Sequence, residues 1–258
     1  MMDHIVETNG LSVTFGQHEV IKNMNLSIEK GKFTSIIGPN GAGKTTLFNL
    51  LSGQQKPTKG SVYFKGKDIT AMSVPERTRF GMGRSFQLTN VFPELTVLEN
   101  VRLAVQAADH YFYRFIPIRK YQQVSEQKAY GLLEEVMLSG KEAAMASELA
   151  HGEKRKLELA MLLALKPELL LLDEPTAGIS VEEVPAILKV IENIKHKSDK
   201  TIILIEHKMD MVLHVSDQIA VLFNGELLSI GNPQDIINDP RVQNAYLGGM
   251  YNESIKSG

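Results

Sequence analysis

The chain has 258 residues, 22% of them charged, and a formal net charge of −2. That length can bury a full core in one large domain or two small ones. The near-neutral balance, with no long Lys/Arg stripe, argues against nucleic acid as a partner.

There is no cysteine, which removes disulfides, thiolate metal sites and cysteine nucleophiles. The N-terminus, MMDHIVETNG, has no apolar run of the kind a signal peptide needs. The most apolar stretch, Leu157 to Leu172, is broken by Glu158, Lys166, Pro167 and Glu168, so no segment is expected to span a bilayer. The expectation is a soluble chain, or one bound to a membrane only through a partner.

His4 to Thr8 and Leu11 to Phe15 read as short strands around Asn9-Gly10, a turn or bulge signal. Val20 to Ile28 alternates apolar and polar residues as a half-buried strand does, and Glu29-Lys30-Gly31 turns it onward. An antiparallel β layer is therefore expected first. Phe15, at a strand end, is either a core residue or a flat face on which an adenine ring can stack.

Thr34 to Ile37 is a buried strand candidate, and Leu47, Leu50 and Leu51 fall at helical spacing with Gly53 as a stop. Between them stands Gly38-Pro39-Asn40-Gly41-Ala42-Gly43-Lys44-Thr45. Strand, glycine-rich loop and helix in this order define a phosphate-binding loop. Polyphosphate oxygens need several backbone N–H donors at close range, and glycines let the chain curl around them. The helix start adds unpaired N–H groups and the positive end of its dipole. Lys44 supplies a cation for the β- and γ-phosphates, Thr45 a hydroxyl for Mg²⁺, and Thr46 reaches the α-phosphate.

Gly60 to Ile69 reads as β structure with a turn at Lys65-Gly66-Lys67, and Pro75 to Phe80 as a short helix. In Arg84-Ser85-Phe86-Gln87 the Gln87 amide can ligate Mg²⁺ or hold a water. Leu95 to Leu149 is mostly helical by pattern, with Thr96-x-x-Glu99 as a capping box and a return to helix over Gln127 to Met137. His110 to Tyr121 interleaves aromatic and basic residues and interrupts the helices. It suits a membrane surface or a partner, and equally a packed loop.

Leu149-Ala150-His151-Gly152-Glu153 leads into a helix over Lys154 to Leu165. Leu169 to Leu172 is a second buried strand, ending in Asp173-Glu174-Pro175. Asp173 is placed to hold a metal through water and Glu174 to polarise an attacking water. Ser180-x-x-Glu183 reads as the cap of a helix running to about His196, with Pro185 early in it. Thr201 to Ile205 is a third buried strand ending in Glu206-His207. A histidine there lies on the ligand side of a parallel sheet and can contact a γ-phosphate or the water, or equally serve as a satisfied structural histidine. Gln218 to Phe223 and Glu226 to Ile230 flank Asn224-Gly225, a strong hairpin signal, and a short helix follows Pro233.

With these residues in register the chain resembles the ATP-binding cassette of an ABC transporter over essentially its whole length. GPNGAGKTT matches the Walker A motif, RSFQ the Q-loop, LLLLDEP the Walker B motif and IEH the switch histidine. LAHGE stands at the signature L-S-G-G-Q, AGIS at the D-loop, and Phe15 at the aromatic A-loop position. FQLTNVFPELTVLENV, the insertion near Phe112, LAHGEKRKLELA and GNPQDIINDPRVQNAYLG look like the larger ATPase subunit of branched-chain amino-acid importers. Closely similar cassettes serve urea and amide importers.

The resemblance implies an α/β P-loop NTPase with a mainly parallel core sheet, an antiparallel β subdomain and a helical subdomain. It implies one cassette over 1–258, with a RecA-like core and β layer in 1–87 and 160–258 and a helical signature subdomain in 88–159. It implies ATP and Mg²⁺ as ligands. Glu174 and His207 are then catalytic, and Thr45, Gln87 and Asp173 stand around the metal. Residues 38–46, Phe15, Gln87 and Ala150, His151, Gly152 and Glu153 bind nucleotide. The implied partners are a second cassette, like or unlike, membrane permease subunits and, through them, a solute-binding protein. The implied location is the cytoplasmic face of the inner membrane. Two residues depart from the family: Ala150 replaces the signature serine and Ser180 the D-loop aspartate. A kinase would not need the signature helix or His207. A DNA-repair or translation ATPase of the same superfamily would need coiled coils or tandem cassettes, and the chain has neither.

Overall fold

The computed structural model describes residues 3–85, 91–109, 118–197 and 200–245. The strands are β1 (His4–Phe15), β2 (His18–Met24), β3 (Ser27–Glu29), β4 (Phe33–Ile37), β5 (Lys59–Phe64), β6 (Lys67–Asp68), β7 (Met82–Arg84), β8 (Leu169–Asp173), β9 (Thr201–Ile205), β10 (Gln218–Phe223) and β11 (Glu226–Gly231). The helices are α1 (Lys44–Ser52), α2 (Val74–Arg79), α3 (Val97–Ala108), α4 (Ile118–Glu135), α5 (His151–Ala164), α6 (Val184–Lys197), α7 (Met209–Val215) and α8 (Pro233–Asn238). They fall into two compact units. One is built from Met1–Arg77, Leu171–Glu174 and Thr201–Gly258, the other from Thr78–Leu170 and Pro175–Lys200.

The first unit holds the parallel sheet, in the order β11-β10-β4-β9 and then the C-terminal part of β8. Strands β10 and β9 both pair with β4 in parallel. Every residue of β4, β8 and β9 is buried. That is why FTSII, LLLLD and TIILI are continuous runs with little alternation: parallel strands covered on both faces have no solvent side. Asn224 and Gly225 have φ of 51° and 84°, the two left-handed residues of a tight hairpin between β10 and β11.

The antiparallel layer of the same unit runs β2-β1-β5-β6, with β3 also on β1. Asn9-Gly10 does not separate two strands. β1 continues through it, and its register with β5 shifts between Asn9 and Ser12, so the pair forms a bulge. The single strand expected over Val20 to Ile28 is instead β2 and β3. They pair with opposite ends of β1, and the Thr8 hydroxyl spans the break, donating to Met24 O (3.0 Å) and accepting from Leu26 N–H (2.9 Å).

Arg77 is buried and anchors α1 from its C-terminal end. Its Nη1 donates to the carbonyls of Leu50 (2.7 Å) and Leu51 (2.6 Å), and further bonds reach Thr70 O and Met72 O. A cation there satisfies carbonyls of the last helical turn, of which Leu50 O also accepts from the C-cap Gly53 N–H (3.3 Å). Burial pulls the guanidinium down to about 10, with the charge of Asp68 opposing.

In the second unit Gly81 O, next to β7, accepts from the N–H groups of Glu168 and Leu169 at the start of β8. Thr96 caps α3 by accepting from Glu99 N–H (3.2 Å), but the Glu99 carboxylate turns to Arg102 (2.9 Å to Nε), so only half of the expected capping box forms. Helix resumes at Ile118, inside the interruption expected over His110 to Tyr121. Asp109, the C-cap of α3, gathers Lys128 of α4 (2.7 Å) and Lys166 (3.0 Å). Helix α6 begins at Val184 rather than behind Ser180. The Ser180 carbonyl accepts from Glu183 and Val184 N–H in a turn that precedes the helix, and Pro185 is its second residue.

Candidate functional site

The phosphate loop leaves the C-terminal end of β4 and enters α1. A side chain at Gly38 would put its Cβ 2.2 Å from the Leu222 carbonyl oxygen, so only glycine lets the loop lie so close to β10. Gly43, at φ 98°, is the N-cap of α1, a conformation costly for other residues. The loop is tied by Ala42 N–H to Pro39 O (3.1 Å), and Gly225 N–H donates to Ala42 O (3.2 Å). Asn40 and Gly41 are exposed at its tip.

Lys44 is the first residue of α1 and is buried. Its Nζ donates to Gly38 O (2.7 Å) and Pro39 O (3.1 Å). Burial lowers its pKa, and the negative charges of Glu174 and Asp173 work against that shift. The sheet order thus brings two acids from the end of β8 into the field of the loop's cation. Thr45 is exposed and Thr46 half-buried on the first turn of α1.

Asp173 is fully buried at the end of β8. Glu174 follows with φ 46°, a left-handed conformation that costs a non-glycine residue roughly 1–3 kcal/mol. Its N–H donates to Ile205 O (3.0 Å), which fixes it beside the end of β9. His207 lies two residues past that strand, and its Nε2 is 2.8 Å from Glu174 Oε1. Both side chains keep access to solvent, 43% for His207 and 30% for Glu174. The His207 N–H donates to the buried Glu206 carboxylate (3.2 Å). Phe15 ends β1 opposite His18 with its ring 48% exposed, an open face rather than a core position. Gln87 lies outside the described residues.

Ala150, His151, Gly152 and Glu153 open α5 in the second unit. Ala150 is the N-cap and has no side-chain acceptor, so the helix start keeps unpaired donors. The Glu153 carboxylate accepts from Ala150 N–H (3.1 Å) and pairs with Lys141 (3.1 Å). Burial opposes its charge, but these two donors outweigh it and hold the carboxyl below its ordinary value. His151 is exposed and Gly152 buried, and a Cβ on Gly152 would come within 2.8 Å of Glu183 Oε1.

One residue near this chemistry is not singled out by the sequence reading. Arg155, on the second turn of α5, donates from Nη1 to Glu158 Oε2 (2.7 Å) and from Nε to Pro175 O (3.2 Å). Its side chain is only 11% exposed. The available signal is the Arg-x-x-Glu spacing, which puts both on one helix face. The long-range partner, Pro175, leaves no mark in the local pattern.

A glycine-rich loop with a buried cation, two acids in its field and a histidine bonded to one of them thus come together at the strand ends of the parallel sheet. The family described as ABC transporter matches residues 21–177, and one described as branched-chain amino acid ATP-binding cassette transporter matches residues 226–252. The chain belongs to the ABC transporter family as an ATP-binding cassette, and is therefore an ATPase.

Among its relatives is the high-affinity branched-chain amino acid transport ATP-binding protein LivG of Escherichia coli K12. The two are 36% identical over 253 residues, which is 96% of this chain and 99% of LivG. The cassette MJ1267 of an ABC transporter, in its ADP conformation, superposes with a TM-score of 0.82 at 32% identity, covering 95% of this chain and 99% of that one. The cassette MJ0796, dimeric in a post-hydrolysis state with ADP and Pi, gives a TM-score of 0.73 at 25% identity, covering 88% of this chain and 98% of that one. No helix among the described residues is long and apolar enough to cross a membrane.

Proposed function

We propose that this chain is the ATP-hydrolysing subunit of an importer for branched-chain or other hydrophobic amino acids. It works at the cytoplasmic face of the inner membrane, docked on permease subunits that receive solute from a binding protein. The match at residues 226–252 and the full-length similarity to LivG support the solute class. The observation that carries the chemistry is the Glu174–His207 pair at 2.8 Å, with Glu174 also in the field of Lys44.

In this reading Lys44 turns from the loop carbonyls to the β- and γ-phosphates, and the N–H groups of residues 38–46 surround them. Thr45 and Asp173 would hold Mg²⁺, with the Gln87 amide as a further oxygen donor. A hydroxyl, a buried carboxylate and an amide are the sparse oxygen donors that suit this ion, which keeps several waters and takes other ligands from phosphate. Bound there, the ion neutralises charge on the phosphates. Phe15 stacks on the adenine. Glu174 accepts the proton of a water that attacks the γ-phosphorus as the bond to the bridging oxygen breaks, and His207 orients that water and the γ-phosphate. Ala150 to Glu153 of a second cassette face the same nucleotide, so two subunits close over two Mg²⁺-ATP. The dimeric relative MJ0796 supports this arrangement.

The test is reconstitution of the cassette with its membrane subunits and binding protein in liposomes. ATP-dependent leucine uptake, abolished by Glu174→Gln, is expected. Uptake of urea or an amide in place of leucine would reassign the solute, and leucine uptake at the parental rate by Glu174→Gln would refute the assigned chemistry.

A further inference from the structure

We infer that Arg155 is a positioning residue for hydrolysis, holding Pro175, the residue that follows Glu174 in the chain, to the helix that begins at the signature. The inference rests on the reading of Glu174 as the proton acceptor. Glu174 sits in a left-handed conformation that its own side chain does nothing to favour. Such a conformation persists only where its neighbours are fixed.

On the N-terminal side the Glu174 N–H is bound to Ile205 O. On the C-terminal side the next residue is Pro175, whose ring restricts φ. The Pro175 carbonyl accepts from Arg155 Nε at 3.2 Å. Arg155 is itself aimed by Glu158, 2.7 Å from Nη1, and both side chains are nearly buried at 11% and 12% exposure. The planar guanidinium makes both bonds at once, which a lysine's single ammonium does with less direction.

Burying an arginine is costly, and an apolar side chain would pack α5 more cheaply if packing were all that mattered. What the guanidinium adds is a fixed point for the peptide immediately after Glu174. The same helix starts at Ala150, N-cap to a first turn of His151, Gly152 and Glu153. One rigid element therefore carries both the segment assigned to a neighbouring cassette's nucleotide and the anchor of this cassette's own general base. A shift of α5 on closure would be passed to Pro175 through the Arg155 guanidinium.

The test compares Arg155→Met, Arg155→Lys and Glu158→Gln in the full chain, alone and with Glu174→Gln. Nucleotide affinity is read with a fluorescent ATP analogue, and turnover is followed in steady state and in single-turnover mode. Arg155→Met is expected to bind nucleotide and keep KM within about twofold while kcat falls roughly 10- to 100-fold, the scale of a misplaced catalytic group. Arg155→Lys should recover part of the loss. In the Glu174→Gln background, Arg155→Met should lower the residual single-turnover rate by less than about twofold, because the group it positions is already gone. An unchanged kcat, an equal fold-loss in both backgrounds, or a fall in affinity matching that in kcat would overturn the inference. If Arg155→Met does not fold, Arg155→Lys and Glu158→Gln carry the same comparison. If Glu174→Gln alone turns over at the parental rate, the reading of Glu174 fails instead.

Discussion

His207 owes its position to the parallel sheet. β9 and β8 end on the same edge, so residues 33 apart in sequence meet at 2.8 Å. A histidine in that place touches the acid assigned to the water, not the loop that holds the phosphates. His207→Ala is therefore expected to cut kcat by about 10²–10⁴, the usual worth of a proton-handling group, with ATP affinity almost unchanged. Equal losses in binding and turnover would make it a structural residue. Lys44 belongs to binding. Its ammonium is buried and donates to the Gly38 and Pro39 carbonyls, bonds it can exchange for phosphate. Lys44→Ala should weaken ATP binding by at least about 10- to 100-fold, as charge-assisted hydrogen bonds of roughly 1.5–3 kcal/mol are lost. Equilibrium dialysis with labelled ATP measures this, and parental affinity would remove Lys44 from the site.

At the scale of elements, α1 is held at both ends, by its loop and by Arg77. Arg77→Met would leave the buried carbonyls of Leu50 and Leu51 without this donor. Gly53 N–H still reaches Leu50 O (3.3 Å), so the expected loss is that of the Leu51 carbonyl, roughly 1–3 kcal/mol in urea unfolding. In the helical unit Asp109 joins α3, α4 and Lys166, which follows α5. Burial works against its charge, but Lys128 and Lys166 hold its carboxyl below the ordinary 3.8. A depressed folded pKa contributes stability that is complete above the unfolded value and is lost as pH falls through the folded one. The ion-pair contribution should thus persist at neutral pH and disappear below about pH 4. Asp109→Asn should lower thermal stability at pH 7 and do so progressively less as pH falls below the ordinary carboxylate range, and a pH-independent effect would mean packing rather than charge.

The same elements show what a sequence can disclose. β4, β8 and β9 are legible because strands buried on both faces leave apolar runs, and the β10–β11 hairpin because Asn-Gly supplies two left-handed residues. The phosphate-loop glycines, Gly38, Gly41 and Gly43, are legible because backbone curvature there demands them. The break between β2 and β3 is not legible. It depends on a hydroxyl from Thr8, sixteen and eighteen positions away. Nor is the true start of α6, where Ser180 makes a turn with the same hydrogen-bonding groups that a cap uses. The contacts of Arg77 with Leu50 and Leu51 and of Arg155 with Pro175 are invisible for the same reason: the acceptors are carbonyls, and a carbonyl has no residue type.

At the scale of the whole molecule, one cassette in this reading holds half of each ATP site. Turnover of the isolated chain should rise with the square of protein concentration while the dimer is scarce, and a strictly linear rise would count against a shared site. Glu174→Gln sharpens the test. A carboxylate beside a nucleotide already neutralised by Lys44 and Mg²⁺ adds little to binding. Its worth lies in the proton of the attacking water, about 3–5 kcal/mol of barrier for a 10²–10⁴ effect. The glutamine keeps size and one oxygen but does not take the proton. ATP then persists between the subunits, and because it contacts both faces only in the closed state, it favours that state. Light scattering after gel filtration should show Glu174→Gln as a dimer with Mg²⁺-ATP and a monomer with ADP. A mutant that binds ATP yet stays monomeric would refute the composite site. Attention would then turn to Ala150, which offers no side-chain oxygen at the start of α5, and Ser180, whose hydroxyl is turned to Glu183 at 3.3 Å.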